Sequence, residues 1–414
     1  MEKQEVSFNG RCHRDARIRL QKQRLALDLA GQLRAELLNN PAISRIEFAG
    51  ETRRFAEAIR QIDLVVQSET LSTIPDTPAI ATLKNAITET GLQLNVHFAR
   101  AENFIATRHE ATGNSQYINA FNDYAKSRNA GNFAGIESEE AMYSALGLQF
   151  VPPEIREDAE ALHRAVAGNI PRLIENSDLR GMLHIHTNAS DGKNSLEEMM
   201  LETRRLGFKY VAICDHSQYA AHVGGLTPDE VLAQSEEIDR LNEKYPDFRI
   251  LKGIESDILP DGSLDYTPEF LAHFDIIVAS IHSSFKMPKA EMSARIIRAA
   301  RNPLTTILGH PTGRLIGTPA GYEIDIDEFI NVCADCGKVI EINANPYRLD
   351  FNAENAMKAA AKGVKLAINP DSHKTQTLAD VFIGVQSARK AWLTTEDVIN
   401  CLSLDEFIKN YVRK

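Results

Sequence analysis

Between Arg180 and Asn369 the chain contains seven short apolar runs, and each stops at or just before a side chain able to bind a metal ion or a phosphate. The residues at these stops are His184-Ile-His186, Asp215-His216, Glu255, His282, His310, Asn343 and Asp371-Ser-His373. A barrel of parallel strands brings the C-terminal ends of its strands to one mouth. Ligands scattered along so long a stretch would therefore converge on one point, which implies a metal-dependent hydrolase.

The texture of the chain supports the barrel. From Asp178 onward strands, loops and helices alternate, as in α/β proteins. Strands are expected at Tyr210–Cys214, Ile250–Gly253, Ile276–Ile281, Thr305–Leu308, Val339–Ile342 and Val364–Ile368, after a first one that ends in His184-Ile-His186. Such continuously apolar strands suit a parallel sheet buried on both faces. Ser195-Leu-Glu-Glu198 reads as a capping box that opens the first crossover helix, and Gly207 ends it.

Upstream the pattern differs. Residues 15–40 read as an amphipathic helix, Ile43–Ala49 and Ile62–Val66 as strands, Ala79–Thr90 as a helix ended by Gly91, and Leu92–Phe98 as a half-buried strand. From His109 to about Asn176 the pattern is helical, interrupted by Gly131, Gly135, Gly147 and Pro152-Pro153. The fold class is thus α/β: a distorted seven-stranded barrel over 178–414, preceded by a small α+β domain (1–108) and a helical domain with its linker (109–177). No internal repeat or low-complexity segment occurs.

With 414 residues, 43% apolar and 25% charged, the chain has the composition of a globular protein of two or three domains. It has no apolar stretch long enough for a membrane span and no apolar signal core at its start, so a cytoplasmic location without membrane partners is expected. Five scattered cysteines argue against a disulfide framework. Cys333-Ala-Asp-Cys336 is read as two small residues one helical turn apart. A net charge of −11 argues against general nucleic-acid binding. The acidic excess lies in the later part of the chain, whereas Arg11, Arg14, Arg17, Arg19, Lys22 and Arg24 crowd the start. That cluster is either a solvated helix face or a contact to a phosphate backbone.

Residues i and i+2 of a strand point the same way. His184 and His186 can therefore reach one ion, as can Asp371 and His373. Asp191, in the turn Asn188-Ala-Ser-Asp191-Gly192, could fold back over the site, while His216, Glu255, His282 and His310 come from separate strand ends. Nitrogen and carboxylate ligands without thiolates suit Zn²⁺, Mn²⁺ or Fe²⁺, and nine of them suffice for two or three divalent ions. A single histidine at a strand end, or HxH alone, means little; the agreement of six strand ends carries the inference. His13, His97, His109, His163, His222 and His273 fit no such pattern and are read as structural, with a substrate contact left open for His222.

These segments, together with Gly253-Ile-Glu255-Ser-Asp257, Leu308-Gly-His310-Pro-Thr-Gly-Arg314 and Glu341-Ile-Asn-Ala-Asn345-Pro-Tyr-Arg348, resemble the polymerase and histidinol phosphatase (PHP) domain, in the form fused to bacterial family X DNA polymerases. The resemblance runs from about Asp178 to the C-terminus. It implies a trinuclear site: His184, His186, Glu255 and Asp371 on one ion; Glu255, His282 and His310 on a second; Asp191, His216 and His373 on a third. Pro370 stands where a Thr is common. Glu255 and Asp371 would be catalytic as well as ligating, Arg314 and Arg348 could each clamp a phosphate oxygen or merely form structural ion pairs, and Asn343 and Asn345 could orient water or substrate. The implied activity is hydrolysis at a DNA 3′ end, as a 3′–5′ exonuclease or 3′-phosphatase. The alternatives are a small-molecule phosphatase of the histidinol-phosphate type and a non-catalytic DNA-binding accessory protein.

A weaker resemblance continues upstream. Ala49-Gly50-Glu51 to Gln61-Ile-Asp63 is similar to the palm of family X polymerases, and Tyr143-Ser-Ala-Leu-Gly147 to Pro152-Pro153 to the end of their thumb. The family's phosphate-holding serine is replaced by Glu51, its Asp-x-Asp by Gln61-Ile-Asp63, and its third carboxylate by Asn95. The family's helix-hairpin-helix and fingers regions have no counterpart. Two Mg²⁺ ions against a triphosphate need several carboxylates, so a nucleotidyltransferase-like module without synthesis is expected, serving as a scaffold or guiding a strand to the barrel.

Overall fold

The computed structural model of the chain describes residues 26–57, 59–316 and 321–412. The basic cluster Arg11–Arg24 and the start of the helix expected at 15–40 lie outside them. The described residues form two compact units that divide after Arg172.

The first unit is built on three strands, β1 (Arg45–Ala49), β2 (Gln61–Gln67) and β3 (Gln93–Ala99), in the order β1-β2-β3. β1 and β2 are antiparallel; β2 and β3 are parallel, joined through the helix Pro78–Glu89. Thr77 caps that helix, its side chain accepting from the Ile80 amide. Leu29, Leu33 and Leu37 share one face of the helical stretch 26–37 and pack with Ile62, Leu64, Ile80 and Ile87. The helix Phe104–Thr112 covers the other face, where Phe104 and Ile105 meet Ala49, Val65 and Ala99. Helices Ser115–Ser127, Glu139–Ala145 and Ala159–Val166 follow.

In the second unit, seven strands form one all-parallel sheet in sequential order: β4 (Gly181–Ile185), β5 (Tyr210–Ile213), β6 (Arg249–Asp257), β7 (Ile276–Ser280), β8 (Ile307–Leu308), β9 (Val339–Asn343) and β10 (Leu366–Asn369). The sheet curls until its edges meet. Ser372, just past β10, bridges Ile185 in parallel, and the His186 amide donates to Ser372 O at 2.9 Å. Asn400 closes the other end of the seam, its Nδ2 donating to Gly181 O (3.0 Å) and Ile368 O (2.8 Å). The result is a nearly closed, distorted barrel. Leu183, Tyr210, Ala212, Leu251, Ile276, Val278, Ile307, Val339 and Ala367 fill its interior below the mouth, with Phe407 against Tyr210. Helices such as Leu196–Arg205, opened by the expected Ser195/Glu198 capping box, cover the outside. Among the described residues no helix is long and apolar enough to cross a membrane.

The helical part of the first unit is organised by buried charge. Glu139 accepts from Arg53 Nη1 (2.5 Å), Arg53 Nη2 (3.1 Å) and Arg156 Nη2 (2.5 Å), and Arg156 is fully buried. Burial opposes ionisation of Glu139, but the two guanidiniums prevail and hold its carboxyl at about 2. His109 Nε2 lies 3.0 Å from the Tyr143 hydroxyl, and burial, aided by Arg156, pushes the imidazole down to about 3. Both values lie below those of an unfolded chain, about 6.5 for His and 4.3 for Glu. Stability is therefore complete above about pH 6.5 and falls on acidification, by up to about 1.4 kcal/mol per pH unit while His109 alone binds the extra proton. Glu139 adds a second loss below about pH 4.3. Hydrogen exchange at amides of Phe104–Thr112 in the full chain, followed from pH 7 to 4, should show this decline, and His109→Phe should flatten its upper part; equal slopes in the two proteins would contradict it.

Candidate metal centre

Side-chain alternation along the strands carries the apolar interior upward into a polar layer at the mouth. On β6 the interior-facing series Leu251, Gly253 continues to Glu255 and Asp257; on β9 Val339 leads to Glu341 and Asn343; on β10 Ala367 leads to Asn369 and, beyond the strand, Asp371. β4 needs a correction to strict alternation. Leu183 belongs to the interior cluster, yet its neighbour His184 also faces inward, onto Glu255 and Glu341. The pairing register with β5 shifts between Met182 and Ile185, and a bulge of this kind turns consecutive side chains to one side.

The structure gathers all nine candidate ligands. Glu255 is the hub and is fully buried. Its Oε1 lies 3.0 Å from His310 Nε2, 3.3 Å from His282 Nε2 and 3.4 Å from His184 Nε2. Its Oε2 lies 2.9 Å from His216 Nδ1 and 3.6 Å from His186 Nε2. Asp371 Oδ1 sits 3.1 Å from His186 Nε2 and 3.7 Å from His184 Nε2. Asp191, on the turn after β4, places Oδ1 3.2 Å from His373 Nε2 and 3.6 Å from His216 Nε2. Three groups of potential ligand atoms lie within 4.8 Å of one another: His186, Asp191, His216 and His373; His184, His186 and Asp371; His216, Glu255 and His282.

The donor set fits divalent cations. Glu255 Oε2 and Asp191 Oδ1 accept no hydrogen bond despite their short distances to imidazoles, and His216 Nδ1, 2.9 Å from Glu255 Oε2, makes none either. The Nε2 atoms of His184 and His186 face each other at 3.2 Å. Buried polar atoms are ordinarily paired, and these converge on a common space with lone pairs of N and O, the ligand chemistry of Zn²⁺, Mn²⁺ or Fe²⁺. The local charges agree. Burial opposes the charge of Glu255, but His282, His184 and His216 hold its carboxyl well below the usual range. Burial, with His373 and His216, keeps His186 down at about 4 and thus neutral. At His184, His282 and His373 burial is overcome by the neighbouring carboxylates, which raise the imidazoles, the last two to about 10 and about 9, so these three release protons when they take a metal ion.

Beneath these residues lie carboxylates to which sequence reading assigns no role. Glu341 accepts from His184 Nδ1 (2.7 Å), Asn369 Nδ2 (3.0 Å), the His310 amide (2.9 Å) and Asn343 Nδ2 (3.1 Å). It thereby fixes His184 with Nε2 toward the cage, the usual second support of a metal-binding histidine. Asp257 Oδ1 lies 3.4 Å from His282 Nδ1. Asp215 accepts from the Thr187 amide and hydroxyl, Ser190 Oγ and Gln234 Nε2, which fixes the turn that carries Asp191. The only signal in the sequence is a carboxylate next to or two residues from a ligand. Asn343 donates to Glu341 and to Asp371 Oδ2 (3.0 Å), whereas the Asn345 side chain accepts from the Tyr347 amide and shapes its loop. Arg348 Nε stands 4.0 Å from Asp371 Oδ2. Arg314 instead donates Nε to Arg348 O (2.8 Å) and Nη2 to Leu349 O, so its fork holds the Arg348 loop.

In the first unit the residues of the palm resemblance form a different kind of cluster. Asp63 is buried, accepting from Gln61 Nε2 (2.9 Å) and Asn95 Nδ2 (3.1 Å), with His97 Nε2 at 3.5 Å. Gly50 (φ 56°) packs so closely that a Cβ there would lie 2.0 Å from Asp63 Oδ2. Glu51 accepts from the Arg60 amide at 2.5 Å.

The support role of Glu341 is testable without turnover. All four of its contacts come from N–H donors, so Glu341→Gln would set an amide NH₂ against one of the donor pairs. Mn²⁺ or Zn²⁺ affinity, measured by calorimetry on the chelator-stripped protein, should fall about 10–100-fold; unchanged affinity and stoichiometry would contradict the role.

A model of the PHP domain matches residues 182–345. The DNA polymerase/3'-5' exonuclease PolX of Bacillus subtilis is 37% identical over 406 residues, which cover 92% of this chain and 71% of that protein. A "Probable phosphatase" of Thermoanaerobacter sp. is 29% identical over 247 residues, 56% of this chain and 95% of the relative. Among solved structures, histidinol phosphate phosphatase from Lactococcus lactis, complexed with zinc, L-histidinol and phosphate, is 15% identical with a TM-score of 0.37, covering 50% of this chain and 93% of that one. With its cage of histidines and carboxylates at the mouth of a parallel barrel, and with this identity to PolX over most of its length, the chain belongs to the PolX family of PHP-domain proteins and is a metal-dependent phosphoesterase.

Proposed function

We propose that this chain hydrolyses phosphoester bonds at the 3′ ends of DNA, as a 3′–5′ exonuclease or 3′-phosphatase, and does not synthesise DNA. In this reading residues 178–414 are the phosphoesterase domain, while residues 1–108 and 109–177 are palm-like and thumb-like modules without synthesis. The observation that carries the hydrolytic part is the convergence of five histidines from four strand ends on the buried carboxylate of Glu255. The similarity to a protein named for 3'-5' exonuclease activity supports DNA as the substrate.

Up to three ions would be held by His184, His186, Glu255 and Asp371; by Glu255, His282 and His310; and by Asp191, His216 and His373. When bound, divalent cations supply charge neutralisation for phosphoryl oxygens and a water acidic enough to attack at neutral pH. The chain supplies the rest. Glu341, Asp257 and Asp215 hold ligands and loops in place. Arg348, at the edge of the cage beside Asp371, presents its fork to a non-bridging phosphate oxygen, and Arg314 keeps the Arg348 loop in position. In the exonuclease reaction a water oxygen bonds to phosphorus and the bond from phosphorus to the 3′ oxygen breaks. The 3′ oxygen takes a proton, leaving a shortened strand and a nucleoside 5′-monophosphate.

Loss of synthesis rests on the palm-like cluster. Asp63 is the one carboxylate left of the three in the family pattern, and the side chains at the other two positions, Gln61 and Asn95, spend their amides on it. Glu51 caps the entry to β2 where a triphosphate would need a neutral hydroxyl. A small phosphoester is the second reading, favoured by the match of the barrel alone to a "Probable phosphatase" along 95% of that relative.

Incubation of the purified protein with Mn²⁺ and 5′-labelled single-stranded DNA, carrying either a 3′-hydroxyl or a 3′-phosphate, should give strands shortened from the 3′ end or loss of the phosphate. His184→Ala should lower the rate by more than about a hundredfold, beyond the range of a support residue. No extension of a primed template should occur when deoxynucleotides are added. Rapid cleavage of histidinol phosphate with both DNA substrates left intact would replace this reading with the second one.

A further inference from the structure

Among the described residues three aromatic side chains are exposed: Tyr219 (45%), Phe285 (46%) and Tyr347 (42%). All three lie on loops at the mouth of the barrel. Tyr219 follows β5, three residues past His216; Phe285 follows β7, three residues past His282; Tyr347 follows β9, directly before Arg348. Solvated aromatic rings are costly and usually buried, so their confinement to the rim of one site marks a recognition surface.

Each ring stands on a fixed backbone. The Tyr219 amide donates to Asp265 Oδ2 (2.8 Å). The Tyr347 amide donates to Asn345 Oδ1 (3.0 Å), and its carbonyl accepts from the Ile316 amide (2.8 Å). Phe285 lies parallel to Tyr322, at 4° and 6.1 Å between centroids. Tyr322 in turn packs flat on the loop after His310: a Cβ on Gly313 would lie 2.4 Å from its ring. The loop of Phe285 is also pinned by Arg295, which donates to Ser283 O (2.9 Å). Such platforms lose little freedom on binding.

Cations alternate with the rings. Lys286 follows Phe285, Arg348 follows Tyr347, and Lys193 and Lys374 stand on the loops after β4 and β10; the three lysines are exposed. Planar faces interleaved with positive charge, in a protein of net charge −11, match an unpaired nucleic-acid strand, whose bases stack on aromatic faces while its phosphates meet the cations.

We propose that Tyr219, Phe285 and Tyr347 form a base-stacking rim that seats the unpaired terminal nucleotides of a DNA strand; this rests on the phosphoesterase reading of the same site. The rim residues select substrate and take no part in bond cleavage.

The test uses the Mn²⁺-loaded full chain, an oligonucleotide with 2-aminopurine at its 3′ end, and bis-p-nitrophenyl phosphate as a substrate without bases. Tyr347→Ala and Phe285→Ala should each weaken oligonucleotide binding, read from 2-aminopurine quenching, and raise its KM by about fivefold to a hundredfold. Hydrolysis of bis-p-nitrophenyl phosphate should stay within twofold of wild type, and Tyr347→Phe should restore binding. Alanine variants that bind the oligonucleotide as well as wild type, or that lose activity equally on both substrates, would overturn the rim. Wild-type protein that quenches 2-aminopurine through these rings but cleaves no DNA would uphold the rim and overturn the exonuclease reading instead.

Discussion

The second unit depends on neutralising one carboxylate. Glu255 is fully buried at the end of β6, and a charge in such a place costs several kcal/mol unless positive charge or donors surround it. The compensation comes chiefly from His282, His184 and His216 and from His310, whose Nε2 lies 3.0 Å from Oε1; with His186 these side chains arrive from four other strand ends. His216 and His282 come from the strands on either side of β6, whereas His184, His186 and His310 come from β4 and β8, two strands away, and reach Glu255 because the sheet curls round and the strands end at the same height. Barrel closure is therefore coupled to the site. The Asn400 amide that stitches Gly181 to Ile368 and the Ser372 carbonyl that accepts from His186 hold β4 against β10 and so hold His184 and His186 over the mouth.

Support for the cage continues downward in the same way. Glu341 takes four N–H donors from β4, β9, β10 and the loop after β8. It ties together the segments that carry His184, His310 and, through Asn343, Asp371. A bulge in β4 gives Leu183 and His184 the same inward face, so one short strand fills the interior with one residue and lines the cage with the next. The polar and apolar layers of the barrel are thus not alternatives competing for the same positions.

Much of this was legible in the sequence because strand ends are local features. Apolar runs stop where the mouth begins, and i, i+2 spacing reports a shared face at Asp371 and His373. Capping at Ser195 is equally local and is found as expected. The limits of the strands are less so. β8 is only Ile307–Leu308, although Thr305 and Thr306 extend the run in sequence. Thr305 turns back to the preceding helix, its hydroxyl bonding to Ala299 O and its amide to Asn302 O, while Thr306 keeps backbone bonds to Ile277 and Val339 and its hydroxyl takes the Ile277 amide. β6 runs on to Asp257, past the Gly253 at which its apolar run stops. The support of His184 by Glu341 joins residues 157 apart, and no pattern in one chain announces a pair at that separation. Arg314 and Arg348 look alike in sequence; only backbone carbonyls presented by the folded loop separate the arginine that holds the loop from the one beside the cage.

The two polar clusters of this chain differ in how their hydrogen bonds are satisfied. Around Asp63 the books balance: both oxygens accept from neutral amides, and Gly50 leaves no room for anything larger. At the barrel mouth the opposite holds. One oxygen each of Glu255 and Asp191 and Nδ1 of His216 are buried without hydrogen-bond partners, although donors and acceptors crowd within 4 Å of them. Unmade bonds at buried polar atoms cost about 1–3 kcal/mol each, and a fold that concentrates them at one point is offset only by something that takes their lone pairs. Divalent cations do so with both ligand types at once, and that requirement, more than the count of histidines, marks the mouth of the barrel as the candidate metal centre.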